Sequence, residues 1–77
     1  MKKMPYGLAY SMNKDIMNNA SEITYDIEKD ELMFWKCEAV DLICDYPSYA
    51  SGTHEQLVNY YTQSLKDSFP NAKVTVK

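Results

Sequence analysis

The sequence predicts a small two-layer α+β domain, in which a mainly antiparallel sheet of four or five strands carries one amphipathic helix. Two patterns predict this fold class. Apolar and polar residues alternate over several short segments, which is typical of strands with one buried face. One longer segment, about 54–68, repeats apolar residues at helical spacing. The chain of 77 residues shows no repeat or linker, so residues 1–77 are predicted to form a single domain.

The first predicted strand covers residues 4–12, where large apolar side chains alternate with smaller or polar ones. A helix is the alternative, because apolar residues also recur here at every fourth position. Pro5 and Gly7 weaken the helical alternative. A short helical turn over 13–20, capped by Asn13, is expected to follow.

The next two strands are predicted to pair as an antiparallel hairpin. The favoured register sets Ile27 opposite Met33, Tyr25 opposite Trp35 and Ile23 opposite Cys37. Each apolar cross-strand pair of this kind contributes about 0.2–1 kcal/mol. A slip of one residue would place Lys36 opposite Ile23, so the pattern favours one register and a loop over 28–32.

After Cys37 the apolar alternation changes phase, which indicates a bulge, a bend or a turn between two strands. Residues 40–46 then predict a further strand, with its apolar side chains at the even positions. A short helix over 39–45 is the alternative. The segment 47–52 is expected to be a loop.

The helix over 54–68 has the clearest start signal in the chain. Thr53 and Gln56 fit a capping box, in which each side chain accepts a hydrogen bond from the other residue's backbone amide. Pro70 ends the helix. Residues 72–77 alternate again and predict a last strand, placed parallel to 40–46 by a right-handed crossover.

Negative charge is concentrated in the middle of the chain. Residues 22–45 contain eight acidic residues against two lysines, whereas residues 1–21 carry a net charge of +2 and residues 46–77 a net charge of +1. The eight basic residues are all lysine, so the planar guanidinium that favours phosphate and base recognition is missing. We therefore expect no direct binding of nucleic acid, which requires a basic face.

The sequence contains no strong catalytic, metal or cofactor motif, and we expect a non-enzymatic protein without a cofactor. The spacing of Asp26, Glu28 and Asp30 resembles the start of a calcium loop, but Glu31 stands where that loop needs glycine. Cys44 and His54 are the remaining alternative, as a thiol nucleophile and its base. Burial of Cys44 as a small apolar side chain is the stronger expectation.

The leading functional hypothesis is a small acidic module that binds a larger protein with a basic surface. An acidic sheet face would imitate a nucleic-acid backbone, and the module would inhibit or regulate a nucleic-acid-binding protein, as inhibitors carried by phages or mobile elements do. Exposed tyrosines would add contact area. The candidate partner-binding residues are Asp26, Glu28, Asp30, Glu31, Glu38, Asp41, Asp45, Tyr49 and Tyr60.

The alternative hypothesis is a structural module that forms a homodimer. The exposed edge of the sheet, at residues 72–77 or 4–12, would pair with its counterpart in a second copy. No apolar stretch is long enough for a signal peptide or a membrane span. We therefore expect a cytoplasmic protein with reduced cysteines and no membrane association.

Overall fold

The computed structural model describes residues 3–37 and 41–77, and within them it shows five strands and two helices. The strands are β1 (Lys3–Pro5), β2 (Glu22–Asp26), β3 (Glu31–Trp35), β4 (Leu42–Asp45) and β5 (Lys73–Val76); the helices are α1 (Tyr6–Asn18) and α2 (His54–Ser68). The strands form one sheet in the order β1-β4-β3-β2-β5. The α+β class is confirmed.

The sheet is mixed, so the prediction of a mainly antiparallel sheet was wrong. β3 runs antiparallel to both β2 and β4, but β1 pairs with β4 in parallel and β5 pairs with β2 in parallel. The last strand therefore lies beside β2. The sequence predicted a place beside β4, and that prediction was wrong. β1 already pairs with the outer edge of β4, so the crossover through α2 places β5 at the opposite edge of the sheet, beside β2.

The prediction of a strand over 4–12 was wrong beyond Pro5, because the chain becomes helical at Tyr6. Pro5 directly precedes the helix, a place where proline is tolerated because the first helical turn leaves backbone amides unpaired. The helix kinks at Asn13, the residue predicted to cap a new helical turn. The Asn19 side chain then donates a hydrogen bond to the Asp15 carbonyl near the helix end.

Helix α2 confirms the sequence prediction in position and in capping. The Thr53 hydroxyl accepts a hydrogen bond from the Gln56 amide at 3.2 Å, and the Gln56 side chain accepts one from the Thr53 amide at 3.0 Å. Gly52 precedes them with φ +146°, and a Cβ there would lie 2.6 Å from Gln56 Oε1. A side chain at this position would therefore disrupt the cap.

The hairpin of β2 and β3 forms in a different register from the predicted one. Ile23 lies opposite Phe34, and Tyr25 lies opposite Leu32. Leu32, Met33, Phe34 and Trp35 are all apolar, so alternation alone did not identify the inward positions. The turn covers residues 27–30 and includes Asp30 at φ +55°, a conformation that Asp adopts more readily than most residues.

The strand over 40–46 is confirmed within the described residues as Leu42–Asp45. The phase change predicted at 38–41 lies outside them except for Asp41, and the strands on either side pair antiparallel.

Both helices cover the same face of the sheet, and one core lies between the two layers. This face carries Ile23, Tyr25, Leu32, Phe34 and Cys44, which are fully buried. Helix α1 contributes Ala9 and Met17, helix α2 contributes Tyr61 and Leu65, and Ala20 and Phe69 complete the set. We call the opposite side, which neither helix covers, the open face.

Candidate functional site

Three carboxylates lie side by side on the open face, on three adjacent strands. Asp26 of β2 is directly opposite Glu31 of β3, and Glu31 is directly opposite Asp45 of β4. Adjacent strands are about 4.8 Å apart. Like charges in directly opposed positions destabilise a sheet, so this arrangement is unfavourable without a nearby cation. We call these three residues the acidic row.

Lys3 supplies a cation at one end of the acidic row. Its ammonium group lies 2.7 Å from the Asp45 carboxylate and 3.2 Å from the Glu31 carboxylate. Hydrogen bonds to Asp45 and then to Glu31 raise the pKa of Lys3 above its usual value. Asp26, at the other end, accepts a hydrogen bond from the backbone amide of Lys29 at 3.2 Å.

An apolar patch lies next to the acidic row. Met33 and Trp35 of β3 and Ile43 of β4 line a shallow cavity of about 160 Å³ together with Asp26 and Glu31. Thr24, Lys29 and Lys77 complete the lining. The Trp35 indole donates a hydrogen bond to the Thr24 hydroxyl at 3.2 Å, while about a third of the residue, 36%, is exposed. The cavity therefore combines the carboxylates of Asp26 and Glu31, two lysines and an exposed aromatic ring.

The other acidic candidates do not extend the acidic row. Asp30 accepts a hydrogen bond from the buried Tyr25 hydroxyl, on the helix-covered side. Glu28 is exposed in the turn and lines a separate groove with His54 and Lys77. Asp41 accepts a hydrogen bond from the Lys36 amide at 2.7 Å, which ties the two ends of the β3–β4 connection together.

Glu38 lies outside the described residues. Only three of the seven predicted acidic residues are therefore placed together by the structure.

Tyr49 and Tyr60 belong to a second site, on the helix-covered side. Both are exposed, and they line a cavity of about 200 Å³. We call it the tyrosine cavity; it is lined by Tyr6, Tyr46, Pro47, Tyr49, Ala50, Tyr60, Tyr61 and Ser64. The predicted partner-binding set therefore divides between two faces.

Sequence reasoning missed the open-face residues Lys3, Met33, Trp35 and Ile43. Each follows from the correct strand pairing, because Lys3 is opposite Ile43 and Ile43 is opposite Met33. The signal available in the sequence was the run of four apolar residues over 32–35. Such a run places two apolar side chains on each side of a strand, so one pair had to face away from the core.

The pairing of Cys44 and His54 as nucleophile and base is disfavoured by burial. Cys44 is fully buried, and burial raises its pKa to about 11, so the thiol stays protonated at neutral pH. His54 is exposed at the start of α2. Among residues 3–37 and 41–77, no group of three or more His, Cys, Asp or Glu side chains is arranged to hold a metal ion.

No protein-family model matches this chain, and no curated protein or solved structure matches it either. Neither helix in the described part of the chain is long and apolar enough to cross a membrane.

Proposed function

We propose that this protein is a small non-enzymatic module that binds the basic surface of a larger protein through its open face. The observation that carries the proposal is the acidic row, Asp26, Glu31 and Asp45, placed beside the exposed ring of Trp35. The partner would be a nucleic-acid-binding protein. Occupying its basic surface would exclude nucleic acid and so inhibit or regulate it.

The electrostatics of the acidic row support a cationic partner. Directly opposed carboxylates repel one another, and among the described residues the ion pairs of Lys3 reach Glu31 and Asp45 but not Asp26. Lysine or arginine side chains of a partner would relieve the repulsion on docking. An acidic surface also attracts a basic one at long range and raises the association rate at low ionic strength.

The aromatic part of the open face supports the same proposal. Trp is enriched among the residues that dominate binding energy at protein interfaces. The Trp35 indole already has a hydrogen-bond acceptor in Thr24, so covering the ring would leave no unpaired donor. Met33 and Ile43 extend the apolar area beside it. The interface would then have an apolar centre with a charged rim.

We place the protein in the cytoplasm, where both cysteines, which are free thiols, would stay reduced. The net charge of −3 and the absence of arginine support binding to a basic protein over binding to nucleic acid itself.

The test compares a face variant with a charge-matched control. The face variant is Asp26→Asn, Glu31→Gln and Asp45→Asn, which neutralises the acidic row. The control variant is Asp15→Asn, Glu55→Gln and Asp67→Asn, which removes the same charge from exposed helical positions. Each protein is immobilised and exposed to host lysate, and retained proteins are eluted with increasing salt and identified by mass spectrometry.

We expect one basic protein to be retained by the wild type and by the control, to be lost by the face variant, and to elute as salt rises. The purified partner should then lose its nucleic acid when the wild type is added. Equal retention by the face variant and the control would show that the acidic row is not the binding surface.

A homodimer is the second candidate function. β1 and β5 lie at the two edges of the sheet, and either edge could pair with its counterpart in a second copy. Pairing at an edge depends mainly on backbone hydrogen bonds, so a dimer mass measured by light scattering should persist at high salt. A monomer mass at all protein concentrations would contradict this candidate.

A further inference from the structure

The tyrosine cavity is walled by aromatic rings set at right angles to one another. Tyr6 and Tyr46 have ring centroids 5.0 Å apart and planes at 80°. Tyr46 and Tyr61 are 6.0 Å apart at 79°, and Tyr60 and Tyr61 are 5.2 Å apart at 81°. These edge-to-face contacts join four of the tyrosines that line the cavity into one aromatic cluster.

Hydrogen bonds hold one lining residue of the cavity, Tyr61, in place. The Tyr61 hydroxyl accepts a hydrogen bond from the Ala50 amide at 3.1 Å and is 2.7 Å from the Ser48 hydroxyl. These bonds fix the loop over 47–52 against α2. Tyr25 packs edge-on against both Tyr46 and Tyr61 from the core side, with centroids 4.9 and 5.1 Å away. The walls are therefore organised before a ligand arrives.

The cavity has no charged residue in its lining. Asp30 accepts the Tyr46 amide at 2.9 Å through its carbonyl, and its carboxylate accepts the Tyr25 hydroxyl. Burial raises the pKa of Tyr6 to about 12 and raises that of Tyr46. Both phenols therefore stay neutral at physiological pH, and the ring faces present their negative quadrupole.

We propose that the tyrosine cavity binds a quaternary ammonium head group. Cations sit favourably over tyrosine faces, and a cage of several rings is the usual receptor for methylated ammonium. A quaternary ammonium has no N–H group to donate, so it needs no hydrogen-bond acceptor from this uncharged lining. The volume of about 200 Å³ is below the roughly 300–1,000 Å³ of drug-sized pockets, which suits a head group.

This site lies on the opposite side of the sheet from the acidic row, so the inference does not rest on the proposed function. The ligand chemistry has two sources: a free choline-like molecule, or a trimethylated lysine of another protein. Both present the same trimethylammonium group to the cage, and the test includes both.

The test is an NMR titration of the isotope-labelled full chain with choline and with an acetylated trimethyllysine amide. The matched neutral probe is 3,3-dimethylbutanol, in which carbon replaces the charged nitrogen of choline. Tyr60→Leu removes one exposed wall, and Tyr60→Phe keeps its ring.

We expect at least one cation to shift the amides of Ala50, Tyr60 and Ser64 and to bind several-fold more tightly than 3,3-dimethylbutanol. Tyr60→Leu should weaken binding by a factor of about 2–30, the effect of losing one cation–π contact. Tyr60→Phe should bind as the wild type does. Tighter binding of choline would identify the ligand as a free small molecule. Tighter binding of the lysine derivative would identify it as a trimethylated lysine of another protein.

Two results would overturn the inference. Equal affinity for choline and its neutral counterpart would make the cavity an apolar hollow without preference for charge. The absence of shifts at the cavity amides with either cation, at concentrations where the protein stays folded, would mean that the cavity does not bind this group.

Discussion

The Lys3 ammonium group lies 2.7 Å from the Asp45 carboxylate, and this contact joins the edge strand β1 to the acidic row. The same ammonium group is 3.2 Å from Glu31 on the next strand. A single cation therefore offsets the repulsion between two directly opposed carboxylates. The edge strand β1, which is only three residues long, is held by this charge contact as well as by backbone pairing with β4.

Lys3→Met should destabilise the fold most at low salt. Glu31 and Asp45 would then face each other without a cation, and salt would screen their repulsion. Thermal unfolding at low and high ionic strength measures the effect, and the gap from the wild type should narrow as salt increases. Lys14→Met is the matched control, since Lys14 is exposed on α1 and forms no ion pair within the described residues. Equal melting temperatures for the two variants would contradict the prediction.

Tyr25→Phe should lower the free energy of unfolding by about 1–3 kcal/mol, because the Asp30 carboxylate loses a buried donor. Urea unfolding measures the difference. Tyr49→Phe, at a residue that is 90% exposed, should change stability by less than about 0.5 kcal/mol. A double-mutant cycle with Asp30→Asn isolates the pair; additive effects would mean that the two groups do not interact.

Phe34→Ala should cost far more stability than Trp35→Ala. Phe34 is fully buried and contacts Phe69 with ring centroids 5.3 Å apart, so its removal should cost about 3–5 kcal/mol. Trp35 lies on the open face and is partly exposed. The comparison tests the register of the hairpin by chemical denaturation. A larger loss at Trp35 would instead support the register in which Trp35 faces the core opposite Tyr25.

The two cysteines should differ in their reaction with a thiol reagent. Cys44 is fully buried and Cys37 is half-buried, and desolvation raises the pKa of both. In the native protein at neutral pH, Cys37 should react slowly and Cys44 should react only after unfolding. A Cys37→Ala variant leaves one thiol for the measurement. Rapid labelling of that variant would contradict the burial of Cys44 and would revive the thiol-nucleophile hypothesis.

Stability should fall as the solution becomes alkaline. Burial raises the pKa of Tyr6 to about 12 and raises those of Tyr25 and Tyr46. The unfolded chain, with tyrosine pKa values near 10, then loses protons before the folded state does. Cys44, whose pKa burial raises to about 11, acts in the same direction from an unfolded thiol pKa of about 8.5. The free energy of unfolding should therefore be maintained below about pH 8.5 and decrease above it. Urea midpoints measured across this range test the sign, and a constant midpoint would contradict it.

Local patterns in the sequence were sufficient for helix α2 and for the presence of three central strands. The capping box at Thr53 and Gln56 depends on atoms within four residues, so the sequence alone was enough to predict it. The turn at 27–30 and strand β4 were also close to their predicted positions. The gathering of acidic residues in the middle of the chain was visible from composition alone.

The N-terminal segment shows where a local pattern was ambiguous. The alternating residues of 4–12 fit a strand, but Tyr6, Ala9, Tyr10 and Met17 also fit one face of a helix. Leu8 and Met12, which the strand prediction would have buried, are exposed. Packing against Tyr46 at 5.0 Å from Tyr6 involves a residue forty positions away, so no local pattern could show it.

The sequence by itself determined the α+β class, the second helix and its cap, and the acidic balance of the chain, because these depend on composition and on neighbours within a few residues. The tertiary structure alone decided the strand order, the inward side of β3 and the division of the acidic residues between two faces. These depend on contacts between distant segments, such as Phe34 with Phe69 and Lys3 with Asp45. A shift of one position in a strand exchanges its two faces, so such contacts decide which side chains a partner meets.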